Sequence, residues 1–150
     1  MMSLLNRVTT ALKEAMKARD TVAMETLRAI KSALILKRTE TGEAEISPQE
    51  ELAILMRLQK QRRESATLYR QQKREDLAEL EERQASVIAR FLPEPLPRAA
   101  LREAVREIAK ELGATSMKDM GKVMAVASIR LAGRAEGKCI SQEVKALLSH

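Results

Sequence analysis

TSMKDMGKVMAVASIRLAGRAEGK, residues 115–138, is the stretch on which the fold turns. Ser116 stands three residues before Asp119, the spacing of a capping box, in which a hydroxyl takes a first-turn N–H and an acidic side chain reaches back. A helix is expected to begin there. Met117, Met120, Met124, Ala127 and Leu131 then recur at intervals of three and four, the period of one buried helix face, and Gly133 offers the left-handed conformation that closes such a helix. Gly121 falls inside this seam. Because glycine costs about 1 kcal/mol against alanine in a helix, its position predicts that another helix backbone passes close by.

The flank of the same helix is basic. Lys118 and Lys122 lie one turn apart, and Arg134 and Lys138 follow in a segment read as a loop punctuated by Gly133 and Gly137. These four cations admit two readings, a solvated basic rim or a phosphate-contacting corner built from one helix flank and one loop.

Upstream, the pattern is helical throughout. Ser3 can cap a helix over residues 3 to about 18, with Leu4, Leu5, Val8, Leu12 and Met16 as its apolar stripe. Asp20 can cap a second, whose seam is Ala23, Leu27, Ile30 and Leu34. Thr39–Ile46 is acidic, contains Gly42 and reads as an exposed loop. Ser47-Pro48-Gln49-Glu50 then signals a third helix, over about 48–72. Its apolar side is Leu52, Leu55, Leu58, Ala66 and Tyr69, and Gln59 and Arg62 fall within that side. An arginine there either pairs internally or, together with Lys60 and Arg63, meets an acidic ligand.

A phase shift near Arg74–Asp76 predicts a separate fourth helix carrying Leu77, Leu80, Val87, Ile88 and Phe91. Pro93, Pro95 and Pro97 cannot continue a helix interior and mark the clearest boundary in the chain. Beyond it, Leu101, Val105, Ile108 and Leu112 define a fifth helix ended by Gly113, and Ile140, Val144 and Leu147 a short seventh starting near Ser141. The expected fold is all-α, with an N-terminal domain of about four helices over 1–92 and a small three-helix bundle over 96–150.

Composition agrees. Of 150 residues, 45% are hydrophobic, yet only Tyr69 and Phe91 are aromatic, so leucine, alanine and eight methionines are expected to fill the core. No stretch reaches the length of a membrane span and no signal-peptide pattern is seen, so a cytoplasmic protein without a membrane partner is expected. Cys139 is the single cysteine and His150 the single histidine, which excludes zinc held by several Cys or His ligands; Cys139 is expected to be buried or half-buried. The net charge of +6 permits an anionic partner, and it is spread evenly, with 17 basic against 14 acidic residues in 1–92 and 10 against 7 in 93–150. Without stacking aromatics the chain is poorly equipped for single-stranded bases, and a folded RNA read through phosphates and shape fits better.

No phosphate loop, dinucleotide fingerprint or nucleophile elbow is present, and no catalytic residue or cofactor is assigned. SMKDMGKVM followed by GRAEGK nevertheless resembles the C-terminal signature of the GatB/YqeY family. The resemblance runs through the whole chain and includes KQRRES at 60–65, REDL at 74–77 and FLPEPL at 91–96. Length and motif order resemble the stand-alone YqeY-like proteins; Glu136 stands where the pattern has Asp. The family's other branch carries a similar module as the tail of the B subunit of the tRNA-dependent amidotransferase. A carbon-nitrogen ligase label with glutamine as amido donor would follow from the family, with no active site in this chain to support it. What the resemblance implies more directly is the tail's engagement of tRNA, mapped onto Lys118, Lys122, Arg134 and Lys138. Tail-like partners are tRNA or another folded RNA, and amidotransferase or aminoacyl-tRNA synthetase components. The alternative from a different class is a protein-interaction adaptor that receives a partner helix on its methionine- or leucine-rich faces.

Overall fold

A computed structural model describes residues 2–149 and contains, among them, seven α-helices and no strand. The helices are α1 (Leu4–Ala18), α2 (Thr21–Thr41), α3 (Pro48–Gln71), α4 (Glu75–Ala89), α5 (Arg98–Leu112), α6 (Met120–Arg130) and α7 (Gly137–Leu148). The chain divides between Leu92 and Pro93 into two compact units.

In the first unit, local chemistry sets the helix starts. The Ser3 hydroxyl accepts from Asn6 N–H, Asp20 from Ala23 N–H and Ser47 from Glu50 N–H, with Pro48 in the first turn of α3. Helix α2 runs to Thr41, well into the segment expected to be a loop. It stops only at Gly42, whose φ of 70° sends its N–H back to the Arg38 carbonyl. Its preceding threonines satisfy their own hydroxyls on the helix, Thr39 donating to the Ile35 carbonyl, and so do not break it. Two corners rest on non-glycine residues in the left-handed region, Arg19 at φ 56° after α1 and Lys73 at φ 59° between α3 and α4.

The core of this unit is Leu4, Val8, Leu27, Ile30, Leu34, Ile54, Leu55, Leu58 and Ile88, with alanines between them. Each large aliphatic side chain taken out of water there contributes about 1.5–3 kcal/mol. The α1 stripe differs in phase from the expected one: Leu4, Val8, Ala11 and Ala15 are buried, while Met16 is 51% exposed. Alanines let α1 approach its neighbour closely, a role the long methionine cannot take. The methionines rim the core and do not fill it, since no described methionine is among the buried residues.

Helices α3 and α4 form an antiparallel hairpin, the most extensive pairing in the molecule. The polar residues on the inner side of α3 are matched by α4. Gln59 donates through Nε2 to the Ala85 carbonyl at 3.2 Å, and Arg62 through Nε to Gln84 Oε1 at 3.3 Å.

The second unit packs α5, α6 and α7 around Leu101, Val105, Ile108, Val123, Ala127, Leu131, Ile140 and Val144. A single 3-10 turn, Met117–Asp119, precedes α6. Of the expected α6 seam, Ala127 and Leu131 are buried and Met120 and Met124 pack partly buried against the core, whereas Met117 is 41% exposed and Val123, which was not in that seam, is fully buried. Gly121 lies outside the seam. It is exposed, and a Cβ placed on it would meet nothing within 4 Å, so no helix backbone approaches it. Helix α7 begins at Gly137, four residues before Ser141, which moves Lys138 from a loop into the first turn of a helix. Cys139 in that same turn is exposed, contrary to expectation, one residue before the buried Ile140.

Candidate nucleic-acid interface

The entry to α6 is fixed by its capping residues. The Ser116 hydroxyl accepts from Lys118 N–H at 3.4 Å, and the Asp119 carboxylate accepts from Thr115 N–H at 3.0 Å and Ser116 N–H at 3.4 Å. Those two backbone donors, aided by the charges of Lys122 and Lys118, hold the Asp119 carboxyl below its ordinary range. The reciprocal arrangement anticipated from the Ser-x-x-Asp spacing is therefore present. Lys118 and Lys122 project from this well-defined turn and are exposed, as is Lys138 at the start of α7. Among the described residues, no carboxylate lies within 4.0 Å of any of these three ammonium groups.

Arg134 is placed differently. Its Nε donates to the Glu94 carbonyl at 3.1 Å, and its own carbonyl accepts from Leu96 N–H at 2.9 Å. It thus straps the turn after α6 to the segment leading into α5, with the terminal nitrogens of its guanidinium left over. Nor do the four cations share a corner. The eleven residues of α6 put about 16 Å of helix axis between the turn carrying Lys118 and the turn carrying Arg134.

Lys60, Arg62 and Arg63 belong to the other unit, on α3. Lys60 faces Glu64 at 4.0 Å, and Arg62 is half-buried with Gln84 as its partner. Arg63 alone of the three is exposed without a carboxylate within 4.0 Å among the described residues. It lines a groove of about 400 Å³ between α3 and α4 with Gln59, Thr67, Arg70, Glu82 and Ser86. The Arg70 guanidinium there is already paired with Glu82 at 2.7 Å and Glu75 at 3.2 Å.

A basic set on α5 lies outside the residues expected from the sequence to contact a ligand. Arg98, Arg102 and Arg106 recur every fourth residue directly after the proline boundary, a visible one-face pattern. Arg98 and Arg102 donate through Nε to the two carboxylate oxygens of Glu143 on α7, each at 3.3 Å. That Glu143 is buried could not be read locally, since its partners lie 45 and 41 residues away. Among the described residues, no group of three or more His, Cys, Asp or Glu side chains is placed to hold a metal ion, and His150 lies outside them.

A family model described as Yqey-like protein matches residues 5–148. Two proteins, each called "Altered inheritance of mitochondria protein 41, mitochondrial", are similar to the chain. That of Clavispora lusitaniae is 35% identical over 101 residues, covering 65% of this chain and 56% of its own length. That of Meyerozyma guilliermondii is 32% identical over 124 residues, covering 76% and 62%. The chain thus spans about three-fifths of the length of these relatives. No helix of the described residues is long and apolar enough to cross a membrane.

Proposed function

The chain belongs to the YqeY-like family, and from that membership and its unpaired lysines we propose that it engages tRNA or another folded RNA by phosphate contacts from its C-terminal unit. The observation that carries this reading is that Lys118, Lys122 and Lys138 are exposed with no carboxylate partner among the described residues. Among the described residues, none of the three is drawn into a close ion pair, although Lys118 and Lys122 also act at longer range on the Asp119 carboxylate. Lys118 at the entry to α6 and Lys138 in the first turn of α7 also stand where the positive helix end adds to the attraction. Gly121 contributes no packing notch to this surface, and the proposal rests on the lysines without it. Amidotransferase or aminoacyl-tRNA synthetase components are the protein partners of the same reading, and a cytoplasmic setting belongs to it.

The test is tRNA binding by the purified chain across a salt series. Three lysines each neutralising one phosphate give a slope of about −2 to −3 in log affinity against log salt. Lys118→Glu with Lys122→Glu should cut the affinity and flatten that slope. Binding that ignores both salt and the double variant removes the proposal.

A second reading is carried by the first unit. A groove of about 340 Å³ between α2 and α3 is lined by Ala33, Ala53, Ile54 and Leu36, the last 60% exposed, together with the charged side chains of Lys37, Glu40, Glu50 and Arg57. An adaptor that receives an amphipathic protein helix would use this surface. Leu36→Asp should then abolish capture of a protein partner that survives nuclease and high salt, and capture unaffected by that substitution counts against it.

A further inference from the structure

Burying a carboxylate is unfavourable unless something is gained by placing it, and Glu143 is buried while the two arginines it holds are not. Its side chain is 9% exposed, against 83% for Arg98 and 56% for Arg102. Burial by itself would raise the Glu143 pKa, but Arg102 and Arg98 together hold it below the ordinary range, so the carboxylate is charged at neutral pH. One oxygen takes Arg98 Nε and the other takes Arg102 Nε, each at 3.3 Å. An arginine bound through Nε still has its Nη groups to offer, and here both guanidinium groups are anchored at one edge and turned by the same acid.

Three further features meet at this end of α5. Arg98 and Arg102 are one turn apart on the helix, so their guanidinium groups are neighbours. Arg134, bound through Nε to the Glu94 carbonyl, is tied by its own carbonyl to Leu96, two residues before Arg98. Helix α5 starts at Arg98, and its N-cap residue Pro97 offers no side-chain cap hydrogen bond. Arg106, one turn further on, is paired with Glu103 at 3.2 Å and stands outside the set.

We infer that Arg98 and Arg102, aligned by the buried carboxylate of Glu143, form a fork that binds a phosphate group. Guanidinium is suited to this because its donors are fixed in a plane and meet two phosphate oxygens at once, where an ammonium offers only a point charge. A pair of forks held at one edge by a buried acid has given up part of its rotational freedom before the ligand arrives, so less is lost on binding. Arg98 and Arg102 are the binding residues, and Glu143 is a positioning residue. The phosphate can come from a polynucleotide backbone or from a small phosphorylated molecule. The site stands independently of the lysines at the α6 entry.

The experiment measures binding of labelled tRNA by fluorescence anisotropy and of inorganic pyrophosphate by calorimetry, at one fixed ionic strength. The proteins are the full wild-type chain and its Arg102→Lys, Glu143→Gln and Lys118→Glu/Lys122→Glu variants. Arg102→Lys keeps the charge and removes the fork; loss of a charge-assisted pair should weaken binding about tenfold. Glu143→Gln raises the net charge by one, so undirected attraction would tighten binding, whereas loss of alignment weakens it. Weakening by both substitutions with tRNA assigns the site to a polynucleotide phosphate, and weakening with pyrophosphate alone assigns it to a small phosphorylated ligand. Binding of both probes unchanged by Arg102→Lys, or absent from wild type, overturns the fork. The lysine double variant reports separately on the α6 entry: its loss of tRNA binding beside an unaffected Arg102→Lys leaves the RNA proposal standing and the fork refuted. Should Glu143→Gln fail to fold by circular dichroism, Arg102→Lys decides.

Discussion

Gln59, buried on α3, donates its side-chain amide to the main-chain carbonyl of Ala85 on α4 at 3.2 Å. That carbonyl sits in the last two turns of α4, so the glutamine fixes the height at which the two helices of the hairpin lie against each other. The neighbouring Arg62–Gln84 bond at 3.3 Å repeats the device one turn further along α3. Truncation by Gln59→Ala removes one buried hydrogen bond and leaves a gap, and should destabilise the chain by about 1–2 kcal/mol. Gln59→Leu, which refills the volume and leaves the Ala85 carbonyl within its helix, should cost less. Urea denaturation of the two variants side by side checks the order.

The two cores make separate demands. Ile88 at 0% exposure closes the hydrophobic centre of the first unit, and Ile108 at 3% does the same in the second. Either residue changed to alanine should lose about 2–5 kcal/mol, from lost burial and the cavity left behind. If the units unfold independently, Ile108→Ala will lower the midpoint of one calorimetric transition and leave the other in place. A single transition moved by both substitutions would mean that they unfold together.

What could be read from the sequence follows from how local the responsible chemistry is. Ser3, Asp20, Ser47 and Ser116 announced their helices because a cap needs only its own next three residues. The all-α fold followed from seams such as Ala23, Leu27, Ile30 and Leu34, all of which are buried. Phase was harder: Val123 and Met124 are adjacent and both apolar, and only the positions of α5 and α7 decide that Val123 goes inside. The left-handed corners at Arg19 and Lys73 carry no glycine signal; both residues are exposed, and their turns are closed by local backbone bonds such as Asp20 N–H to the Ala15 carbonyl and Arg74 N–H to the Tyr69 carbonyl. Of the candidate interface, the lysines were legible as charge. The Glu143 clamp was not, because one acidic residue among 21 gives no sign that it will be buried opposite α5.

Gly121 and Gly42 separate two uses of glycine. Gly121 is in an ordinary helical conformation with open space around it, so Gly121→Ala should stabilise the protein by about 0.5–1 kcal/mol through lower entropy of the unfolded chain. Gly42 holds φ 70° at the end of α2, and although space is open there too, Gly42→Ala should destabilise by about 1 kcal/mol because a Cβ strains that backbone. Thermal midpoints of the two variants should move in opposite directions. A destabilising Gly121→Ala would restore the close helix approach expected from the sequence.

The pH dependence has two opposing contributions. Asp76, Glu82, Asp119 and Glu143 all have carboxyl pKa values lowered in the folded state: Arg74 acts on Asp76, Arg70 on Glu82, the Thr115 and Ser116 N–H groups on Asp119, and Arg102 and Arg98 on Glu143 against the effect of its burial. A depressed carboxylate stabilises the fold above its unfolded pKa of about 4, and this is lost as pH falls through the folded value. Stability should therefore decline on acidification below about pH 4, and Glu143→Gln should make that decline shallower. Glu51 has the opposite sign. Its burial, together with the nearby charge of Glu45, raises its pKa more than the Leu4 N–H and Arg7 lower it, so its contribution is favourable below the unfolded pKa and is lost as pH rises through the folded one. Glu51→Gln keeps an acceptor for Leu4 N–H while removing the half-buried charge. It should raise the thermal midpoint at pH 7 and lose that advantage at acid pH, where the wild-type side chain is itself neutral. A midpoint lowered at pH 7 would mean that the attraction between Glu51 and Arg7 outweighs the burial of the carboxylate.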